Sequence, residues 1–477
     1  MKVLLVEPNY KNKYPPLGLM KISKYHKELN HEVYFVKGKN EELRTQKWDR
    51  IYISTLFTFY YNITINTIKY YLNSVKDQKQ IFVGGPMATL KKDEIQDTIG
   101  FEGINVITGL LDQAGILDDN DYIIDSLTPD YTILSNDNMY LNYRYPVSDS
   151  YFIHITHGCI RKCSFCAVPV IEPKFIDYCE FSHKIRSISD EYGEMRDLRI
   201  MDNNILASNS LDSIINELIG LGYYKGNKSY KKNNRSFKRS VDFNQGLDAR
   251  LLYANKEIME KLSKIEINPM RVAFDHANPE FVNIYKTVMI QAHENQIENL
   301  SNYILFNLDD SPKDLFARLR INIELNVRFK NENSKTSIWS FPMKFTPIFG
   351  EHSKDRKYIG TSWNRKKLRA VQCLLIPTHG VVGPKLDYFE HAFGKDLVEF
   401  EKIIQMPENF IINRKINTVN GNIGKWNHLY DSLDSHDLFI FSEIISDNLK
   451  RNIKIYLDET KNISDSLCEI LNMYLLV

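Results

Sequence analysis

Long apolar runs, surplus charge of either sign and paired cysteines are all scarce in this 477-residue chain. The longest later apolar stretch, around Ala370 to Pro377, falls far short of the ~18 residues that a membrane-spanning helix requires. The first residues, Met1 to Tyr10, hold an apolar stretch only a few residues long that meets Glu7 and Pro8, unlike a secretory leader. A soluble, cytoplasmic protein without a membrane partner is expected. Lysine and arginine (61) balance aspartate and glutamate (60), so overall charge argues for neither a nucleic-acid coat nor a membrane-surface protein. Six cysteines are too few for a disulfide scaffold, yet three of them fall within eight residues. That clustering points to metal in a reducing compartment.

What is present is ordinary globular composition, 43% hydrophobic and 25% charged, in a chain long enough for two or three cores. The first ~110 residues alternate β-rich runs (Val3–Val6, Glu32–Val36, Arg50–Ser54, Ile81–Val83, Asn105–Ile107) with segments of helical apolar spacing such as Leu17–Leu29 and Asn62–Val75. This is the alternation of a doubly wound, Rossmann-like domain with a parallel sheet. Gly84, Gly85 and Pro86 follow a strand, where glycine lets backbone approach a ligand. Residues 111–148, rich in Asp, Asn, Ser and Tyr, read as a linker.

A second alternation follows over residues 149–344, with strand candidates Tyr151–Thr156, Leu198–Met201, Ser240–Phe243, Arg271–Phe274, Tyr303–Phe306 and Ser337–Phe341. Between them lie helical segments such as Leu211–Leu221, Lys256–Ile265 and Pro312–Leu325. Six strand–helix units predict a partial (β/α)6 barrel, with chemistry on loops at the carboxyl ends of its strands. Residues 345–477 predict a mainly helical C-terminal cap, and the fold class as a whole is α/β. Lys225–Arg239, with seven Lys or Arg and no acid, reads as a mobile basic loop.

Directly after the first barrel strand the chain reads Thr156-His157-Gly158-Cys159-Ile160-Arg161-Lys162-Cys163-Ser164-Phe165-Cys166, a Cys-x3-Cys-x2-Cys spacing. A loop this short can turn three thiolates toward one cubane and leave the fourth iron without a protein ligand. Zinc is the alternative, but zinc takes four closing ligands, and Cys179, Cys373 and Cys468 are scattered singles. A lone Cys373 in an apolar run reads as core.

The spacing, the preceding Gly158, the aromatic Phe165 and the position after a strand resemble the radical S-adenosylmethionine (SAM) superfamily. The resemblance implies a [4Fe-4S] cluster on Cys159, Cys163 and Cys166, SAM bound to the free iron, reductive cleavage to a 5′-deoxyadenosyl radical, and a small electron donor such as a flavodoxin or ferredoxin. It also implies SAM contacts near Phe165 and at the later strand ends: Asp202 and Asn203, then Asn244, Gln245 and Arg250. Asp275 and His276, ending the fourth barrel strand, become candidates for substrate contact. The family's glycine-rich loop after the second strand is absent here.

The first ~110 residues, through Val6-Glu7-Pro8, Tyr14-Pro15-Pro16-Leu17-Gly18-Leu19, His31-Glu32-Val33, Ile53-Ser54-Thr55 and Val83-Gly84-Gly85-Pro86, resemble the cobalamin-binding domain of one subgroup of that superfamily. That likeness implies cobalamin near Pro16, Gly18, Ser54, Thr55, Gly84 and Gly85, although the Asp-x-His-x-x-Gly lower-ligand signature does not occur. Three functions stay open: a cobalamin-dependent radical enzyme, such as a methyltransferase on an unactivated carbon; a radical enzyme without cobalamin, acting on a nucleotide, nucleic acid or peptide; and a non-catalytic, metal-stabilised binding module. The basic loop, with Tyr230 and Phe237 interleaved, is compatible with a nucleotide or nucleic-acid substrate.

Overall fold

The computed structural model describes residues 1–98, 100–460 and 463–475. Five strands, β1 (Lys2–Glu7), β2 (Glu32–Lys37), β3 (Arg50–Ser54), β4 (Ile81–Gly84) and β5 (Asn105–Val106), form one sheet in the order β2-β1-β3-β4-β5. Every pairing is parallel. Val3, Leu4, Leu5 and Val6 are fully buried, as a strand covered on both faces must be, and this is why β1 reads as a continuous apolar run rather than an alternating one. The order reverses direction at β1, which places a crevice at the carboxyl ends of β1 and β3.

Residues 111–148 are no loose tether. Asp118 pairs through both oxygens with Arg50 at 2.8 Å, Asp125 takes the Lys21 ammonium at 2.6 Å, and Asp130 accepts from the Ser23 hydroxyl and lies 2.7 Å from Lys27 Nζ. Lys21, Ser23 and Lys27 share the helix Leu17–Glu28, so two linker carboxylates grip that helix where no strand ladder is available.

The six later strands lie where the sequence places them: β6 (Ser150–Ile153), β7 (Asp197–Ile200), β10 (Val241–Phe243), β11 (Met270–Ala273), β12 (Asn299–Phe306) and β13 (Ser337–Lys344). Hydrogen bonding divides them into two parallel three-stranded sheets, β10-β7-β6 and β11-β12-β13, instead of one six-stranded array. The basic segment is not a mobile loop but a hairpin, β8 (Tyr230–Lys232) against β9 (Arg235–Phe237). Asn233 and Asn234, at φ +50° and +59°, make its two-residue turn, a conformation Asn tolerates well. Lys232, Lys238 and Arg239 are paired with Asp149, Glu266 and Glu194.

Contacts divide the chain into two compact units. The first unit holds Met1–Leu247, Glu260–Asn268 and Thr346–Tyr358, hence the doubly wound sheet, the linker and the sheet β10-β7-β6. Thr346–Tyr358 belongs there because Arg356 lies over the Phe59 ring at 4.1 Å and Lys354 pairs with Glu94. The second unit holds Asp248–Met259, Pro269–Phe345 and Ile359–Val477. In it the helix Pro312–Asn331, started by a Ser311/Asp314 capping box, packs Phe316 against Phe389 and Phe400 of the short C-terminal helices. Among the described residues, no helix is long and apolar enough to cross a membrane.

Candidate metal centre and cofactor sites

The cysteine loop leaves β6 held at successive points by the residues that end the neighbouring strand β7. Asp202, 4% exposed, accepts from Ile155 N (2.8 Å), Thr156 N (2.6 Å) and the Thr156 hydroxyl (2.7 Å). Asn203 donates to Glu172 Oε2 at 2.9 Å, and the same oxygen accepts from Gly158 N. Asn204 donates from Nδ2 to Cys159 Sγ at 3.4 Å. His157 pairs antiparallel with Ile176 through two backbone bonds of 3.1 and 3.0 Å. Gly158 between these ties sits at φ +73°, and a Cβ there would lie 2.3 Å from the Lys174 carbonyl oxygen. Only glycine fits both the angle and the space.

Burial pushes the Asp202 carboxyl up to about 6, with the bonds from Ile155 and Thr156 acting the other way. Burial also lowers the neighbouring His154 to about 3, which keeps it neutral. Burial acts to lower His157 as well, but the Asp125 carboxylate, 3.1 Å from its Nε2, raises it overall. The His154 and His157 rings stack at 5.1 Å.

Cys159, Cys163 and Cys166 belong to no disulfide and are half-buried, as is Phe165. Within the loop, Arg161 N donates to Cys159 Sγ at 3.3 Å and Cys166 N to Cys163 O at 3.1 Å. Among the described residues no three His, Cys, Asp or Glu side chains are arranged to hold a metal ion, so the three sulfurs are not gathered at one point. As a donor set, three thiols suit an iron–sulfur cluster. A closed zinc site takes a fourth ligand, and the other three cysteines, Cys179, Cys373 and Cys468, lie elsewhere in the sequence.

The structure brings Asp202 and Asn203 to the cysteine loop, but the Asp202 carboxylate is committed to backbone and hydroxyl donors rather than open to a ligand ammonium. Asn244, at the end of β10, is buried and accepts from the Tyr14 hydroxyl at 2.6 Å, while Gln245 beside it is exposed. Arg250 lies in the second unit, on the helix Ala249–Ala254, bonded to Asp248 at 3.2 Å and 5.7 Å above the Phe281 ring.

Asp275 and His276 are in that unit too, just past β11. Burial pushes Asp275 up to about 6 against the opposing pull of Arg318 and Arg250, and burial with the same two cations lowers His276. Arg318, 1% exposed, donates to the carbonyls of Phe274 (3.1 Å) and Leu305 (2.8 Å) and pairs with Asp310. It ties the carboxyl ends of β11 and β12 together.

At the carboxyl edge of the first sheet, Pro16 caps the helix Leu17–Glu28, Gly18 has open space where a Cβ would point, and Ser54 ends β3. The Thr55 hydroxyl donates to Gly84 O and accepts from Ala88 N, both at 2.9 Å. Gly85, at φ +107°, would place a Cβ 2.5 Å from Thr55 O. The Thr55 hydroxyl is thus consumed inside the turn, and Gly85 is required by the protein's own backbone. Nothing in their geometry calls for cobalamin.

Glu172, Asn204 and Asp125 were not among the residues singled out from sequence. Glu172 is a lone acid six residues past the motif, Asp125 one of many in the linker, and Asn204 one of two adjacent asparagines, so only the fold distinguishes them.

No protein-family description matches the chain, and no curated protein matches it. Among solved structures, that of the radical S-adenosylmethionine methyltransferase TsrM from Kitasatospora setae, with tryptophan substrate and a SAM analog (aza-SAM) bound, is similar at a TM-score of 0.45 and 12% sequence identity. The match covers 79% of this chain and 77% of that one. A likeness of this degree specifies neither a ligand nor a reaction.

Proposed function

We propose that the chain is a radical SAM enzyme in which Cys159, Cys163 and Cys166 would hold three irons of a [4Fe-4S] cluster. The observation that carries this reading is the Cys-x3-Cys-x2-Cys loop leaving the carboxyl end of β6, braced by Asp202, Asn203 and Asn204 from the next parallel strand. When bound, the cluster would supply the one-electron reducing chemistry that breaks a carbon–sulfur bond of SAM, giving methionine and a 5′-deoxyadenosyl radical that takes hydrogen from substrate.

The chain's own part is positioning. Asp202 fixes the strand end, Glu172 and Asn203 fix Gly158, and Asp125 holds His157, so the base of the cysteine loop is anchored by the protein's own side chains. Phe165, Asn203, Asn244, Gln245 and Arg250 are the proposed SAM contacts, and Asp275 with His276 the proposed substrate contacts. A low-potential flavodoxin or ferredoxin supplies the electron. Transfer of a methyl group to an unactivated carbon, with cobalamin, is one outcome within this reading; action on a nucleotide, nucleic acid or peptide without cobalamin is the other.

Anaerobic reconstitution tests the proposal. Four irons per chain and reductant-dependent 5′-deoxyadenosine are expected, with both lost when the three cysteines become alanine. Turnover retained by the triple variant would remove the assignment, and iron without SAM cleavage would leave a binding module. Corrinoid absorbance of protein from corrinoid-fed cells separates the two enzyme readings.

A further inference from the structure

We infer that Asn204 tunes the reduction potential of the cluster through an N–H···S hydrogen bond to Cys159, an inference that rests on the cluster assignment above. Asn204 comes from the end of β7, not from the cysteine loop, and is 4% exposed. Its Nδ2 lies 3.4 Å from Cys159 Sγ, and its Oδ1, also buried, has no hydrogen-bond partner among the described residues. A buried amide whose side chain bonds to the sulfur and to nothing else is aimed at that sulfur. The backbone N–H of Arg161 reaches the same atom at 3.3 Å, so Cys159 Sγ receives one fixed and one replaceable donor.

The direction of the effect follows from charge. A cluster thiolate only accepts hydrogen bonds, so an amide N–H facing it is attractive and an amide oxygen repulsive. One-electron reduction by a low-potential donor protein makes and breaks no bond and moves no proton; it adds one negative charge, spread over the irons, sulfides and thiolate sulfurs. An N–H donor to a ligating sulfur therefore stabilises the reduced state more than the oxidised one and raises the potential.

The test uses the full chain as Asn204→Leu and Asn204→Asp variants, reconstituted anaerobically and titrated by EPR against solution potential. The Leu variant is expected to carry wild-type iron and to titrate at a more negative potential, its reduced fraction falling about tenfold at a fixed donor potential, or about 59 mV for one electron. The Asp variant, which faces the thiolate with a carboxylate, should shift further the same way. Cluster-loaded variants that titrate at the wild-type potential or above it would overturn this inference and leave the enzyme reading intact. Loss of iron from both variants would overturn it too, by making Asn204 a residue that holds the loop together. A wild-type chain that assembles no cluster would overturn both.

Discussion

Replacing Gly158 by alanine probes the backbone on which the proposed centre depends. The new methyl would sit 2.3 Å from the Lys174 carbonyl oxygen, 2.8 Å from its carbon and 3.1 Å from Phe175 Cα. These are backbone atoms in the segment paired with His157, so no side-chain rotation relieves the contact. The residue must also hold φ +73°, which costs an L-residue about 1–2 kcal/mol. Overpacking adds about 1–3 kcal/mol, for a total of about 2–5 kcal/mol. Gly193, at φ +86° and ψ 163° with nothing within 4 Å, is the control without a clash: alanine there meets backbone strain alone, about 1–3 kcal/mol. The paired assay is hydrogen exchange at the His157 and Ile176 amides of the apo chain, with iron per chain after reconstitution. Gly158→Ala should open that bridge and lose iron, whereas Gly193→Ala should do neither. A Gly158→Ala protein as protected and as iron-competent as Gly193→Ala would refute the argument that the loop's path is fixed by this glycine.

Two further substitutions test the groups around the sites. Burial lifts Asp202 from its ordinary 3.8 to about 6, so its ionised form is the costlier one in the folded state. Stability from this group is full below about pH 4 and falls by about 3 kcal/mol as pH rises to about 6, at 1.36 kcal/mol per pH unit. Asp202→Asn should flatten that part of the curve, measured as denaturation midpoints across pH 4–7; an unchanged slope would show that Asp202 is not its source. In the second unit, Arg318→Leu strips the half-buried Asp310 of its countercharge and two strand-end carbonyls of their donor. A loss of about 3–5 kcal/mol in chemical denaturation is expected, and a loss under about 1 kcal/mol would refute the keystone role.

Local chemistry was legible from sequence where it is carried by neighbours in the chain. Strands buried on both faces read as apolar runs, and β1, β3 and β4 lie within a residue of where Val3–Val6, Arg50–Ser54 and Ile81–Val83 predict them. The cysteine spacing and its place just past β6 are likewise properties of one short segment. The basic hairpin was missed although its signal is equally local: Asn233-Asn234 is a turn pair, but charge composition drew the reading toward a loop.

What sequence by itself determined, then, is which segments become parallel strands and where three thiols are offered together. Tertiary structure alone decided that Asp202 serves Ile155 and Thr156 across 46 or 47 positions, that Glu172 joins Gly158 to Asn203, and that Asn204 reaches Cys159 across 45. It also decided that the six later strands divide into two sheets and that the linker grips the helix Leu17–Glu28. The reason is physical: periodicity and steric fit act between residues close in the chain, whereas a hydrogen bond between distant side chains exists only after the backbone has brought them within about 3 Å.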